Sequence, residues 1–460
     1  LWMSIDNAFG RLVTLDADGL VRARDLQTGE RLTELPVLES GAAPGSVQAE
    51  SGEGWLTVGD GLGGFVLARP VFTWEPVTGA EAGSGGGGAD SVGPGTFVQP
   101  FADGGLRRWT MTIERLGPFE IDGIGPGAFD TRGQTERSRT YVGGGESGVA
   151  TGALRGRRAL GGSVRYRARA DSFEITKDRL GSMPDTAYAS GDGRWVYLVW
   201  SSGRLAVVDR ETEHDEMRVI EAEDTVDAAP ITASVMSLGS ATLLTGDGAG
   251  TVSGWSVVGE PPRLVRRLSR RVGDAAVRTI RPGDRDRTVV VGLADGSAVM
   301  FNQGSRKRIV SVAPEGFGEV AAAGASADSS ALVVIDDTGR VSVTGVEPGH
   351  VESSFGALFG KVPYEGYDEP AYVYQSTGDA SAEPKYSLVP LIWGTIKATV
   401  VAMLFAAPLA VRAAVYSGEF LSPRVRKYGK PTIELMASLP SVVLGFMAAM
   451  VVAPFVRDQL

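Results

Sequence analysis

Five times along this chain an alternating apolar run meets a small-residue turn with glycine and leaves as a second alternating run. The copies are RLVTLDADGLVRARDLQTGE, WVYLVWSSGRLAVVDRETE, TLLTGDGAGTVSGWSVVGE, TVVVGLADGSAVMFNQGS and ALVVIDDTGRVSVTGVEPG, turning at Gly19, Gly203, Gly250, Gly296 and Gly339. Weaker copies turn at Gly64 and Gly105. From Gly203 the turns are spaced by 47, 46 and 43 residues, and from Gly19 to Gly105 by 45 and 41. The 98 residues between Gly105 and Gly203 leave room for a degenerate unit turning near Gly148. Period-two alternation on both sides of a glycine turn is a β-hairpin, because strand side chains point to opposite faces and glycine tolerates positive φ. A hairpin repeat of roughly 40–50 residues is the pattern of a β-propeller blade, which buries its two faces only by stacking in a ring. Residues 1–352 therefore predict an all-β propeller of seven or eight WD40-like blades; an open array of β-sandwiches is the other fold compatible with the spacing.

Composition agrees with many tight turns: glycine supplies 63 of 460 residues and proline 24. With 55 acidic and 45 basic residues the net charge is -10, the wrong sign for a nucleic-acid partner. The chain has no cysteine, which excludes disulfides, thiolate metal sites and cysteine nucleophiles, and fits a periplasm as well as a cytoplasm. Its two histidines, His214 and His350, cannot build a multi-histidine metal site and have no catalytic partner at a motif spacing, so both are expected in exposed loops. No catalytic set, metal site or cofactor is expected. The run GSGGGGADSVGPG (83–95) lacks the Lys-Ser/Thr pair of a phosphate-binding P-loop and is read as a long loop. The Asp-Gly pairs are hairpin chemistry, since the spacing of a calcium loop is missing. Beginning at Leu1 without methionine and stopping in an apolar context at Leu460, the sequence reads as a piece of a longer protein.

Near residue 353 the texture changes. Residues 353–386 carry prolines, acids and tyrosines without repeat, and are expected to be an ordered linker lying against another surface. Then LVPLIWGTIKATVVAMLFAAPLAV, 388–411, holds one charge, Lys397, and is long enough to cross the ~20 residues of helix that a bilayer requires. A second apolar stretch covers 433–456, with Glu434 near its start. Between them a basic loop is expected, holding Arg412, Arg424, Arg426, Lys427 and Lys430, which the positive-inside rule assigns to the cytoplasmic side, with the β region outside. A helix buried in a soluble core is the competing reading of either stretch.

The block GTIKATVVAMLFAAPLAVRAAVYSGEFLSPRVRKYGKPTIELMASLPSVVLGF resembles the permease subunits of bacterial phosphate-specific ABC transporters, and LFGKVPYEGYDEPAYVYQS resembles the linker of long forms with a large periplasmic insertion. The likeness covers about 355–460; the propeller rests on the repeats alone. It implies that residues 387–460 are the first, truncated transmembrane helices of an ABC-permease (MetI-like) domain in a bacterial inner membrane, with residues 1–386 in the periplasm. It also implies ATP-driven phosphate uptake, with a second permease subunit, a cytoplasmic ATPase dimer and a periplasmic phosphate-binding protein as partners. ATP hydrolysis would reside in the ATPase partner, not in this chain. A membrane-anchored propeller scaffold without transport is the alternative, separated from it by reading the gene past Leu460; a quinoprotein-like dehydrogenase lacks a visible cofactor ligand set.

An anion pathway requires small residues where helices approach, backbone freed by proline, and positive potential at its mouths. Gly394, Gly445 and Ala448 suit close packing, Pro408 and Pro440 interrupt helices, and Lys397 is placed to attract phosphate or to snorkel to the outer interface. Glu434 would repel phosphate, so pairing with Arg426 or Lys430, or a subunit contact, is expected of it. In the β region, Arg155, Arg157 and Arg158 form one arginine group, and Arg263, Arg266, Arg267, Arg270 and Arg271 another. Either group is a docking surface for an acidic partner or a solvated strand face.

Overall fold

A computed structural model of the chain describes residues 2–6, 10–26, 28–50, 54–62, 64–76, 95–100, 106–120, 129–135, 138–144, 147–158, 164–168, 173–211, 218–223, 229–376, 382–420, 422–437 and 440–459. It divides into two units, Leu1–Leu388 and Val389–Leu460.

The first unit is a propeller of seven antiparallel sheets: blade 1 (2–36), blade 2 (46–120), blade 3 (129–176), blade 4 (186–221), blade 5 (231–271), blade 6 (277–312) and blade 7 (320–345). Blades 1, 4, 5 and 6 are four-stranded meanders in chain order from the axis outward, blades 2 and 3 have five strands, and blade 7 has three. Seven sheets decide the blade number that the spacing left between seven and eight. The five strong turn glycines all take positive φ, from +79° to +102°. Aspartates lock four of these middle hairpins, all but that of Gly203, and the middle hairpin of blade 2. Asp18, Asp60, Asp247, Asp295 and Asp336 each accept the peptide N–H two residues on, at 2.7–3.1 Å.

Two weaker repeats need correction. Gly64 is not the turn but opens the strand Gly64–Pro76; the positive-φ glycine of that hairpin is Gly61, at +75°. Gly105 lies outside the described residues, and the hairpin around it does not begin a new blade. Its strands, Thr96–Pro100 and Leu106–Glu120, are the outer pair of blade 2, because the long strand Gly64–Pro76 pairs directly with Leu106–Glu120. The aromatic residues of that extension explain why it stays: Trp109, Phe72 and Phe97 enclose the buried Arg11 of blade 1, whose guanidinium lies 3.6 Å over the Trp109 ring. The degenerate unit exists as expected, with Gly148 opening the strand Gly148–Arg158 after the middle turn of blade 3.

Period-two strands leave each sheet apolar on both faces, and neighbouring blades bury those faces against each other. Seven apolar clusters correspond to the seven blade–blade seams. Between blades 5 and 6 eleven buried residues interlock, Phe301, Val291 and Leu293 among them. The ring closes where Met3, Ile5 and Leu12 of blade 1 meet Val333 of blade 7. The innermost strands surround a cavity of about 150 Å3 lined by Trp2, Gln48, Ser234, Arg281 and Ala323.

Residues 353–376 and 382–388 form a strap. Ser354 caps the short helix Phe355–Phe359 by accepting the Ala357 N–H, Val362 bridges to Ala371, and Tyr374–Gln375 pairs with Lys385–Tyr386.

In the second unit one helix, Val389–Val415, runs on through a π-helical turn at Tyr416–Phe420. It is the one helix, among the described residues, long and apolar enough to cross a membrane. At 1.5 Å per residue its first 27 residues reach ~40 Å, beyond the ~30 Å of hydrocarbon. The second apolar stretch differs from expectation. The basic segment is not a loop: Pro423, suited to a first helical turn, opens the helix Pro423–Ala437, which takes Ile433 and Glu434 with it. The apolar remainder is the shorter helix Ser441–Phe455.

Candidate functional site

The long apolar helix Val389–Val415 satisfies two of its hydroxyls with its own backbone. Thr395 and Thr399 donate their hydroxyls to the carbonyls of Leu391 and Thr395, each at 2.8 Å. Lys397 lies one turn beyond Trp393, with Nζ 5.8 Å from the ring centroid. Pro408 sits inside the helix without ending it. Trp393, Leu404, Phe405 and Leu409 are 58–67% exposed, and a Cβ added at Gly394 or Gly445 would meet nothing within 4 Å. Apolar side chains are therefore open on this helix, and a glycine gap is open on it and on Ser441–Met447.

Of the basic residues, Arg412 lies in the last turn of the spanning helix, while Arg424, Arg426, Lys427 and Lys430 lie on Pro423–Ala437, where Arg424 and Lys427 are exposed. Glu434 is on that same helix; its side chain, with those of Arg426 and Lys430, lies outside the described residues. Pro440 directly precedes Ser441–Met447, at φ -60° and ψ 125°, and so occupies the entry to a helix. Ala448 begins the π-helical turn Ala448–Val452.

The second arginine group occupies the outer strand of blade 5, Arg263–Arg271, and part of it holds the strap. Arg263 faces Glu223 at 3.4 Å and Asp368 at 3.7 Å, and Arg267 donates to the Tyr367 carbonyl. Arg270 donates to the Arg306 carbonyl, Arg271 pairs with Asp274 at 2.8 Å, and Arg266 lies 5.8 Å over the Trp255 ring. Burial pulls Arg267 and Arg270 below the ordinary guanidinium range. In the other group Arg155 and Arg157 are exposed on Gly148–Arg158, the side chain of Arg158 lying outside the described residues. His350 is exposed, and its carbonyl accepts from Ser353; His214 lies outside the described residues, as does most of the glycine run 83–95.

Two buried polar clusters escaped sequence reasoning. In the strap, Glu365 receives Arg287 of blade 6 through two N–H groups, at 2.7 and 3.1 Å, and the Thr242 hydroxyl of blade 5 at 2.5 Å. Glu383 accepts the Glu365 peptide N–H at 2.7 Å; burial, then the neighbouring Glu365 carboxylate, push it up to about 7. Two carboxylates thus share one guanidinium, an arrangement that holds a proton near neutrality. Near the axis, Asp130 pairs with Arg132 at 3.0 Å, and Arg139 with Glu50 at 2.7 Å. Burial raises Asp130 to about 6 against the pull of Arg132. A glutamate in an acidic linker looks solvated in sequence; its partner 78 positions earlier carries no local signal.

No family model matches the chain. It is similar to a probable ABC transporter permease protein, YqgH, of Bacillus subtilis, 37% identical over 77 residues, which is 17% of this chain and 25% of that protein. It is also similar to the phosphate transport system permease protein PstC 1 of Mycobacterium tuberculosis, 38% identical over 75 residues, 16% of this chain and 22% of that protein. A third relative is the probable phosphate transport system permease protein PstC of Methanocaldococcus jannaschii, 32% identical over 80 residues, 17% of this chain and 25% of that protein. The chain spans about a quarter of the length of the curated relatives it matches. These matches support the permease resemblance read from the motifs. The chain thus carries a stretch of 75–80 residues similar to ABC transporter permeases, phosphate transport permeases among them.

Proposed function

We propose that this chain is part of the membrane permease subunit of an ATP-driven phosphate uptake transporter, with the propeller as an interaction or regulatory module. The observation that carries the reading is the pairing of the similarity to phosphate permeases with a 27-residue apolar helix in which no residue is buried and the one glycine, Gly394, is open. A helix of that kind requires lipid and neighbouring helices, which a second permease subunit and the remaining spans would supply. The basic residues from Arg412 to Lys430 then lie on the cytoplasmic side of a bacterial inner membrane, and residues 1–386 in the periplasm. A cytoplasmic ATPase dimer and a periplasmic phosphate-binding protein complete the transporter. In this arrangement Lys397 and Pro408 lie within the bilayer, and Pro440 and Gly445 in the following segment.

For the propeller we favour docking of the periplasmic partner. Arg263 and Arg267 serve the strap, so the exposed Arg266 and Arg271 are the side chains of that strand best placed for an acidic partner. The test is uptake of radiolabelled phosphate, competed with sulfate, by the complete gene product expressed with its transporter partners in cells lacking their own phosphate permeases. Phosphate-selective uptake that needs this subunit is expected; none with the subunit inserted would reject the reading.

A further inference from the structure

Among the described residues of 2–352, four large apolar side chains are exposed, Leu62, Trp74, Val341 and Val343, spread over blades 2 and 7. The strap exposes five within 355–374, all aromatic: Phe355, Phe359, Tyr367, Tyr372 and Tyr374, with Phe355 80% exposed. Single exposed apolar residues are ordinary, whereas a cluster of them marks a surface that something covers. Two backbone hydrogen bonds gather four of the five. The Leu388 N–H donates to the Leu358 carbonyl at 2.8 Å, and the Ser387 N–H to the Val373 carbonyl at 3.0 Å. Phe355 and Phe359 share a short helix with Leu358, their ring centroids 4.9 Å apart, and Tyr372 and Tyr374 flank Val373. All four are thereby tethered beside Leu388, the residue from which the apolar helix Val389–Val415 departs.

That position identifies the partner. The helix carries no charge from Val389 until Lys397, and Leu391, Ile392 and Trp393 are exposed near its start. Where such a helix enters a bilayer it crosses a polar headgroup layer of roughly 5–8 Å before the hydrocarbon. Three helical residues and one hydrogen bond separate Phe355 from Leu388, on the order of 10 Å, which is within reach of that layer. Tyrosine, with an apolar body and a polar tip, suits the same layer, as does Trp393. Lys361 and Lys385 place Nζ 5.9 Å and 5.5 Å from the rings of Tyr372 and Tyr367, while Glu365 is turned to Arg287 and Asp368 to Arg263. Ammonium groups among aromatic rings match lipid phosphates. We propose that Phe355, Phe359, Tyr372 and Tyr374 form a lipid-binding surface, seated among the phospholipid headgroups of the bilayer that the adjoining helix enters. The inference rests on the reading of Val389–Val415 as a membrane span. The buried Arg287–Glu365 pair then ties this lipid contact to blade 6.

The absence of cysteine permits single labels. The complete gene product, reconstituted in vesicles of phosphatidylethanolamine and phosphatidylglycerol, carries a nitroxide at Phe355→Cys, Tyr374→Cys, Leu62→Cys or Leu404→Cys, one at a time. Collisions with oxygen, which concentrates in lipid, are compared with collisions with a water-soluble nickel chelate. Leu62, 90% exposed on blade 2, gives the value for water and Leu404 the value for hydrocarbon. The oxygen-to-nickel ratio at Phe355 and Tyr374 is expected several-fold above that at Leu62 and below that at Leu404. A water-like ratio at either position, with Leu404 in hydrocarbon, overturns the inference and leaves the span intact. Protection from both reagents does the same, since a protein then covers the patch. A water-like Leu404 rejects the span itself and the inference with it. Because a nitroxide can itself seek lipid, a benzophenone amino acid in place of Phe355 is irradiated in the same vesicles. Phospholipid adducts are expected; adducts on protein alone, or none, overturn the inference.

Discussion

Phe301 and Leu404 are both large apolar residues, yet the first is fully buried between blades 5 and 6 and the second is 67% exposed on the spanning helix. The ring satisfies its hydrophobic residues with its own chain, because period-two strands always have a neighbouring blade to meet. The helix does not: its apolar residues cover every side, and among the described residues none of them is buried. Burial within the chain, rather than hydrophobicity, therefore separates a folding core from an apolar surface left open.

The comparison breaks most decisively at Phe301. Phe301→Ala is expected to cost about 3–5 kcal/mol in denaturant unfolding of the ring, while Leu404→Ala leaves ring unfolding unchanged. Equal effects would mean that the two regions fold as one unit.

Next in size is the strap. Arg287→Met leaves the Glu365 carboxylate without its partner and is expected to weaken strap attachment by about 2–3 kcal/mol, read as faster proteolysis within 360–376. Strap attachment also depends on pH. Because Glu383 is raised to about 7 from 4.5, its protonated form favours the attached strap, so attachment is strongest below about 4.5 and weakens as pH rises to 7. Glu383→Gln should remove that dependence; a profile that stays pH-dependent would place the titration elsewhere.

A smaller effect separates two glycines. A Cβ at Gly292 would collide with the side chains of Val320 and Thr279, so Gly292→Ala is expected to cost about 1–3 kcal/mol. Gly394→Ala meets open space and should change helix stability by under about 1 kcal/mol. Should Gly394→Leu abolish uptake with insertion intact, a neighbouring helix of the assembled transporter packs there. The axial carboxylate gives the last handle. Asp130 is raised to about 6 from 3.8, so ring stability should fall as pH climbs between those values, by on the order of 1–3 kcal/mol, and Asp130→Asn should flatten the fall.

What was legible in the sequence was whatever is written locally. Alternation around Gly203, Gly250, Gly296 and Gly339 names its own hairpins, and one charge in 388–411 names a span. The aromatic linker was read as lying against a surface, which it does. Long-range pairing was illegible: nothing near Gly105 says that its hairpin joins blade 2, and nothing near Glu365 points to Arg287. The basic stretch misled because charge was read as loop, while Pro423 and the residues after it suit a helix start.

The aspartate-locked turns have a consequence for the order of assembly. Asp18, Asp60, Asp247, Asp295 and Asp336 each fasten a turn using atoms two residues apart, so those hairpins can form within about 1–10 μs, before any blade has a neighbour. The contact of Met3 and Leu12 with Val333 joins opposite ends of the ring and must wait until every intervening blade has docked. A nascent chain should therefore accumulate finished hairpins early and spend its slowest step as an open horseshoe.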